Sequence, residues 1–401
     1  VTSWRGGRER AAEPRPRRRP HPAAIERETH VSGSGAARLA MLLASVAGFA
    51  SLASEVLWTR VLRMVVQGTT QAFAAMLVNF LAGIALGSLL AERLMRSSRN
   101  PRRLFATTQL LLAGLTVLAI WVAGQLPRLL VMVQHSTTLV PHEAWVVLVV
   151  SSVLLLPLAI VLGTSIPLAW RIAGGDAEDA ARHSGRVLAA NTLGGLGGSI
   201  LAGFLLVPTL GLEGAITAVV LFHFLAAAIA LQASYADLVR RAFAVAIPAL
   251  LAVLAALAGP DLPLPYLLDA WYDPSRAYID GPGHESWEQD VEFLREGRNT
   301  TVTILERGDS TLRLFNDGRP ESGFGGADPG FGEELAVLGT LPTLFAQEHE
   351  RAMVIGLGAG HSTAVLRGGP WERIDVVELE GAVVEAARFL YEQRETEFPL
   401  D

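Results

Sequence analysis

The fold of this protein is decided by residues 144–163, AWVVLVVSSVLLLPLAIVLG, which contain no charged side chain. A helix needs about 20 apolar residues to cross the hydrocarbon of a bilayer. This stretch has that length, so it predicts a membrane-spanning helix. Its Pro157 predicts a kink in that helix.

The same pattern recurs through the first two thirds of the chain. We predict about seven spans, each near the length that a bilayer requires. They cover residues 37–58, 71–92, 104–124, 144–171, 187–208, 214–233 and 241–259. The expected fold class is a polytopic α-helical membrane bundle over 37–259. Residues 1–36 are rich in Arg and Pro, and we expect them to be disordered.

The composition excludes several chemistries. The 401 residues are 51% hydrophobic and 18% charged, against about 25% charged in a typical soluble protein. There is no Cys, and all 33 basic residues are Arg. Thiol nucleophiles, Cys-based metal sites and lysine Schiff bases are therefore excluded. From Gly259 onward the chain has 27 acidic residues and 11 Arg. This excess of negative charge predicts no nucleic-acid partner. It is compatible with a cationic small-molecule ligand, and a need for solubility explains it equally well.

Arginine residues are concentrated in alternate loops. They follow the second, fourth and sixth predicted spans, at Arg93, Arg96, Arg99, Arg102, Arg103, Arg171, Arg182, Arg186, Arg240 and Arg241. Because Arg-rich loops stay in the cytoplasm, this predicts a multi-pass membrane protein with a cytoplasmic N-terminus. The absence of Lys is typical of a GC-rich bacterial genome, so the expected membrane is a bacterial plasma membrane. Seven spans would place the C-terminal part outside, and six or eight would place it inside, so its side stays open.

Glu55 and Arg60 are the sharpest polar features of the predicted spans. An ionisable group inside a membrane is costly, which makes Glu55 a functional candidate. The alternative is an interfacial ion pair between Glu55 and Arg60 or Arg63. Both interpretations stay open at this point.

Small residues recur at four-residue spacing in several spans. Such rows allow helix backbones to approach closely where lipid supplies no hydrophobic drive. The rows are Gly83 and Gly87; Gly194, Gly198 and Ala202; and Gly195, Ser199 and Gly203. We expect helix packing there, with a substrate path as the alternative.

The chain beyond the spans reads as soluble sequence. We expect a connector over residues 260–298 and then a small β-hairpin unit over 299–322. Its strands are predicted at 300–305 and 311–315, and Asn-Asp-Gly at 316–318 is a strong turn signal.

Residues 323–401 predict a partial Rossmann-like α/β domain. A buried strand at 351–355 runs into GLGAGHS, residues 356–362, and then into a short helix. A second strand at 374–377 ends at Glu378, and another helix follows. This order, strand, glycine turn, helix, strand and carboxylate, is typical of a site for a nucleoside-containing cofactor.

The glycine turn suits one class of nucleoside. Gly356, Gly358 and Gly360 let the backbone lie against a ligand, and Glu378 can accept hydrogen bonds from ribose hydroxyls. A dinucleotide fingerprint would require glycine where Thr363 stands. The pattern therefore favours an S-adenosylmethionine-type ligand, with a unit that keeps the shape and binds nothing as the alternative.

Several motifs together resemble one family. They are LFNDG at 314–318, LGTLP at 338–342, VIGLGAG at 354–360 and VELE at 377–380. These motifs resemble those of spermidine synthases, the aminopropyltransferases. With SEVLWTR at 54–60 and NTLG at 191–194, the chain is similar to bacterial membrane-fused spermidine synthase-like proteins.

The resemblance implies a site and a donor. The nucleoside of decarboxylated S-adenosylmethionine, or of S-adenosylmethionine, would be held by Gly356, Gly358, Gly360 and Glu378, without a metal. Asp317 and Glu321 fall where the family binds its substrate. The catalytic residue stays unknown, because the family carries its catalytic Asp on a strand later than Asp401; the resemblance thus implies that the sequence is C-terminally incomplete.

Two functions follow from these expectations, with a structural membrane scaffold as a third alternative. The first is a transferase of the aminopropyltransferase type, which moves an aminopropyl or methyl group from an S-adenosyl-type donor to an amine. The second is a membrane transporter or sensor whose degenerate synthase-like domain binds a polyamine or nucleoside without catalysis. The expected partners are the lipid bilayer, a polyamine or other cationic small molecule, and a second copy of the chain in a homo-oligomer.

Overall fold

The computed structural model of the protein describes residues 22–98, 100–136, 143–174, 177–269, 291–307, 311–324 and 330–401. Residues 1–21, most of the segment expected to be disordered, lie outside that description. Within the described residues the first part of the chain forms helices. They are α1 Pro22–Val66, α2 Thr70–Ser97, α3 Pro101–Ala123, α4 Leu126–Ser136, α5 Glu143–Leu162, α6 Ser165–Ala173, α7 Ala177–Leu201, a π-helical segment Ala202–Leu206, α8 Val207–Gln232, α9 Leu238–Ala258 and α10 Leu264–Asp269.

The chain is a membrane protein with six apolar helical stretches long enough to cross a bilayer, counted within its described part. They are Gly35–Val66, Thr70–Ser97, Pro101–Ala123, Trp145–Ala173, Ala181–Gln232 and Leu238–Ala258. The prediction of a polytopic helical bundle is confirmed. Two of the seven predicted spans, 187–208 and all but the last residue of 214–233, fall within the single 52-residue stretch Ala181–Gln232.

That long stretch is not straight. Gly211 has φ 74° and ψ 172°, values outside the helical region, and Val187 lies in one buried cluster with Ala226, Ala227 and Ala230. A straight helix would separate residues 187 and 227 by about 60 Å at 1.5 Å per residue. The chain therefore folds back near Gly211, and α8 packs against α1, α3 and α9.

Small residues allow the helices to approach, as predicted. A methyl group at Gly83 would overlap Ala159 of α5, and one at Gly194 or Gly198 would overlap the backbone of α1 at Ser45 or Phe49. The packing role of these rows is confirmed. The third row behaves differently, because a methyl group at its Gly203 would meet no atom within 4 Å.

Polar side chains join the helices inside the bundle. Asn79 Nδ2 of α2 donates to Ser151 Oγ of α5 at 2.9 Å. Gln109 Nε2 of α3 donates to Ser165 Oγ at 3.1 Å, and the Gln109 amide oxygen lies 2.9 Å from His223 Nδ1 of α8. Each bond satisfies a polar group that lipid could not.

The two ends of the bundle make different contacts. At one end Arg102 donates to the carbonyl oxygen of Ala233 at 2.7 Å, and the Arg103 guanidinium lies over the Tyr235 ring. This end therefore brings together the Arg-bearing turns after α2 and α8. At the other end Leu212 and Leu268 share a buried cluster, and the C-terminal part of the chain docks there.

The C-terminal part begins with a four-stranded antiparallel sheet. Its strands are β1 Val291–Glu296, β2 Thr301–Arg307, β3 Thr311–Asn316 and β4 Arg319–Phe324, hydrogen-bonded in that order. The predicted hairpin is β2 and β3, so the prediction of only two strands is corrected. Strand β1 lies inside the predicted connector, and β4 crosses the predicted boundary at 322. Pro320 is accommodated because β4 is an edge strand with an irregular register beside it.

An α/β segment follows the sheet. It contains α11 Gly330–Phe345, β5 Arg351–Ile355, α12 His361–Arg367, β6 Arg373–Val377 and α13 Gly381–Gln393. Strands β5 and β6 pair in parallel, with Ile355 opposite Val377. The crossover through α12 brings the ends of both strands, and hence the glycine turn and Glu378, to one edge.

Candidate functional site

The glycine turn between β5 and α12 has a backbone that only glycine adopts readily. Gly356, Gly358 and Gly360 have φ of 85°, 55° and 85°. The turn is fixed to β6, because the Gly356 N–H donates to the carbonyl oxygen of Val377 at 2.8 Å. A methyl group at Gly356 or Gly358 would meet no atom within 4 Å. The outer surface of the turn is therefore open to a ligand.

Glu378 lies directly against this turn. Its Oε2 accepts a hydrogen bond from the Leu357 N–H at 2.7 Å, and its Oε1 accepts one from the Glu380 N–H at 2.9 Å. The structure therefore brings together all four residues predicted to bind the cofactor. They meet at the carboxyl ends of two parallel strands, which is where open α/β sheets bind ligands.

Glu321 of β4 reaches the same region. Burial raises the pKa of Glu321 above its usual value, the charge of Arg319 opposes that shift, and the negative charge of Glu378 raises the pKa further. The Glu321 carboxylate therefore lies within electrostatic range of Glu378. Such a pair attracts a cationic group of a ligand more strongly than an anionic one.

His361 joins the sheet to the α/β segment. Its Nε2 lies 3.2 Å from the carbonyl oxygen of Gly323, and its ring stacks on Phe324 with centroids 4.2 Å apart. Burial lowers the pKa of His361 below its usual value, so the ring is neutral near pH 7. A carbonyl oxygen can only accept, so Nε2 carries the proton, and the side chain holds β4 beside the turn.

Asp317 is placed elsewhere. It is buried, its Oδ1 accepts a hydrogen bond from the Thr301 N–H at 2.8 Å, and its Oδ2 lies 3.0 Å from Arg63 Nη2 of α1. The structure does not bring Asp317 to the glycine turn. Instead this carboxylate connects the antiparallel sheet to the membrane bundle.

Arg60 connects the same two parts. Its Nη2 donates to the carbonyl oxygen of Gly297 at 2.7 Å, and its Nη1 lies 3.4 Å from that of Arg298. Because Arg63 pairs with Asp317, neither arginine pairs with Glu55. Among the described residues no hydrogen bond or ion pair engages the Glu55 carboxylate, which lines a cavity of about 350 Å³.

Glu380 is a residue that sequence reasoning missed. Its Oε2 accepts a hydrogen bond from the Asn299 N–H at 2.8 Å, and a methyl group at Gly297 would overlap its carboxylate. A continuous series of contacts thus runs from Arg60 through the turn at 297–299 to Glu380 and on to Glu378. The second carboxylate of the Glu-Leu-Glu motif was the available signal.

Within its described residues the chain has no group of three or more His, Asp or Glu side chains placed to hold a metal ion. Comparisons of the chain with protein-family models, with curated proteins and with solved structures find no match in any of the three. Support for any ligand therefore comes from the geometry of the glycine turn and from the motifs themselves.

Proposed function

We propose that this protein is a multi-pass, spermidine synthase-like membrane protein that binds an S-adenosyl-type nucleoside at the turn 356–360. One observation carries the proposal. The Glu378 carboxylate accepts a hydrogen bond from the Leu357 N–H, beside Gly356 and Gly358, whose backbone has no other atoms packed where a side chain would be. The sites of nucleoside cofactors combine these elements, a glycine turn without side chains and a carboxylate at the end of the next strand.

The two carboxylates suit the charges of such a ligand. Glu378 would accept hydrogen bonds from the ribose hydroxyls. For this its Oε2 atom would either move away from the Leu357 N–H or accept from that group and a hydroxyl at the same time. Glu321 would face the sulfonium or the aminopropyl ammonium, where a negative charge is favourable. In a transfer reaction the carbon–sulfur bond breaks, a carbon–nitrogen bond forms, and the attacking amine loses one proton to a base or to water.

A second function, binding without transfer, is favoured by the distribution of arginine. The turns that carry Arg102, Arg103, Arg240 and Arg241 lie at the end of the bundle remote from the C-terminal part. The positive-inside rule would then place that part outside the cytoplasm, away from a donor that is made inside. If the C-terminal part lies outside the cytoplasm, a sensor or transporter component is a better proposal than a transferase.

Calorimetry tests the binding common to both functions. The full chain in neutral detergent is titrated with methylthioadenosine and with decarboxylated S-adenosylmethionine. Glu378→Gln should weaken binding about tenfold, because it removes a charge-assisted acceptor. Glu392→Gln, on the exposed side of α13, is the matched control. Absence of binding by the wild-type chain, or equal effects of the two variants, would overturn the nucleoside proposal.

A reporter fused after Asp401 and an assay of methylthioadenosine release then separate the two functions. A cytoplasmic reporter together with amine-dependent release would support the transferase. An external reporter, with nucleoside binding and no release, would support the sensor or transporter.

A further inference from the structure

A second cavity site lies at the boundary between the membrane bundle and the C-terminal part. It has a volume of about 350 Å³ and forms where α1, α2 and the π-helical segment after α7 meet the turn between β1 and β2. Leu52, Val56 and Phe73 contribute apolar side chains to its lining, and Arg63 and Arg298 contribute guanidinium groups. This cavity takes no part in the nucleoside site.

The cavity opens toward lipid. Phe73 and Leu52 belong to membrane-spanning helices and expose 58% and 37% of their surfaces. An exposed apolar side chain at that depth contacts lipid chains. A ligand can therefore enter sideways from the bilayer, as an amphiphile does. A neighbouring cavity of about 400 Å³ shares Thr59, Arg63 and Phe73, and it extends the space toward Gln67.

Three local features mark the cavity as a site rather than a packing defect. The π-helical segment supplies Gly203 to its wall, and such segments are frequent at functional sites. Gln67, which lines the neighbouring cavity, has φ 62°, a conformation that a non-glycine residue adopts at some energetic cost. Glu55 is an unpaired carboxylate within a span, counted among the described residues.

The arginine side chains that line the cavity determine which class of ligand it can bind. Arg60 is engaged by two carbonyl oxygens and Arg63 by Asp317. The Arg298 side chain is exposed and has no hydrogen bond or ion pair within the described part of the chain. Arginine presents a planar set of donors that matches phosphate oxygens. Glu55 lies about 7.5 Å from Arg60 along α1, nearer the middle of the span than the arginine residues.

We propose that this cavity binds the phosphate head group of a membrane lipid. The phosphate contacts Arg298 and Arg63, and one alkyl chain lies along Leu52, Val56 and Phe73. The ligand contacts the turn at 297–299, which also donates a hydrogen bond from the Asn299 N–H to Glu380. A bound lipid therefore touches the segment that joins the membrane bundle to the glycine turn.

Native mass spectrometry of the full chain in neutral detergent tests the ligand class. The probes are phosphatidylglycerol, diacylglycerol with the same chains, and soluble glycerol phosphate. Phosphatidylglycerol should be retained at least about tenfold more tightly than either other probe. Equal retention of diacylglycerol would overturn the role of the phosphate. Equal binding of glycerol phosphate would overturn the role of the lipid chain.

Variants then locate the site. Arg298→Gln should weaken retention of phosphatidylglycerol about tenfold, whereas Arg93→Gln removes the same charge from an exposed position at the opposite end of the bundle and should have no effect. Gly203→Val fills the cavity from another wall and should weaken retention independently. Wild-type retention in both Arg298→Gln and Gly203→Val would overturn the site, provided that both unfold at the wild-type temperature.

Discussion

The Nη2 atom of Arg60 in helix α1 lies 2.7 Å from the carbonyl oxygen of Gly297 and donates a hydrogen bond to it. This bond joins a membrane-spanning helix to the turn between β1 and β2. Arg60 is 6% exposed, and both of its Nη atoms donate to backbone carbonyl groups. The interaction therefore holds the C-terminal part of the chain on the bundle.

Arg60→Met should loosen this attachment. The substitution keeps an unbranched apolar side chain but leaves the carbonyl groups of Gly297 and Arg298 without their donor. A hydrogen bond from a charged group contributes about 1.5–3 kcal/mol, so we expect a loss of this size in the free energy of unfolding, measured by denaturant titration in detergent. Limited proteolysis should also cleave between the bundle and β1 more rapidly.

The exposed pair at the opposite end supplies the control for Arg60. Arg96 pairs with Glu92 at 2.6 Å on the surface, where such pairs contribute about 0–1 kcal/mol. Arg96→Met should therefore leave the unfolding curve nearly unchanged. A more stable Arg60→Met protein would contradict the prediction. It would mean that the desolvation free energy of the buried guanidinium exceeds the stabilisation from its hydrogen bonds.

Gly297 and Glu380 should be energetically coupled. A methyl group at Gly297 would overlap the Glu380 carboxylate, which can move only by giving up its bond to the Asn299 N–H. We expect Gly297→Ala to cost about 1–3 kcal/mol of stability. In a Glu380→Ala background the same change should cost much less, because the obstructing group is gone.

A double-mutant cycle of unfolding free energies measures this coupling. Gly381→Ala is the matched control, because a methyl group there would meet nothing within 4 Å. Additive effects of Gly297→Ala and Glu380→Ala would show that the two residues do not constrain one another, and would contradict the continuous series of contacts.

Local patterns in the sequence were sufficient for much of this architecture. Charge-free runs near 20 residues predicted the membrane helices, and the glycine turn with Glu378 was predicted because its parts are contiguous or one strand apart. Strands β1 and β4 were missed. Their sequences, VEFLRE and RPESGF, carry charges, Pro and Gly at positions that an edge strand tolerates but a pattern search rejects.

The partners of the charged residues could not be predicted, because they are distant in sequence. Arg63 lies near Glu55 along α1, yet it pairs with Asp317, a residue 254 positions later. The Asn-Asp-Gly motif indicated a turn but not which helix it would touch. Sequence reasoning therefore identified Asp317 as a binding candidate, whereas the structure uses its carboxylate to attach the sheet.

Gly198 should be intolerant of even a methyl group. Its added carbon would overlap the carbonyl oxygen of Phe49, and a helix backbone cannot move aside without separating α1 from α7. We expect Gly198→Ala to cost about 1–3 kcal/mol in unfolding measured in mixed micelles. Gly197→Ala is the control, since its nearest atom would be Phe49 Cδ2 at 3.9 Å.

The two substitutions should change the free energy of unfolding in different directions. Replacing glycine by alanine inside a helix is favourable by about 0.5–1 kcal/mol where there is room, so Gly197→Ala should be neutral or stabilising. If Gly198→Ala behaved in the same way, close packing of α1 on α7 would be refuted.

Glu296 makes the attachment of β1 to α8 dependent on pH. Both of its carboxylate oxygens lie within 3.0 Å of the Leu212 N–H, which donates to them. Burial raises the pKa of Glu296 above its usual value, although the hydrogen bond from Leu212 and the charge of Arg60 oppose that shift. The folded protein therefore holds the Glu296 proton more tightly than the unfolded chain does.

It follows that stability should fall as the pH rises from the ordinary glutamate pKa of about 4.3 through the raised value of Glu296. The contribution is fully present below this interval and is lost above it. Glu296→Gln keeps a carbonyl oxygen for the Leu212 N–H and removes the titration, so its unfolding free energy should change less than that of the wild type as the pH rises above about 4.3. Glu292→Gln, exposed on the same strand, should keep the wild-type slope. A wild-type slope in Glu296→Gln would mean that another carboxylate with a raised pKa, such as Glu321, dominates the pH dependence.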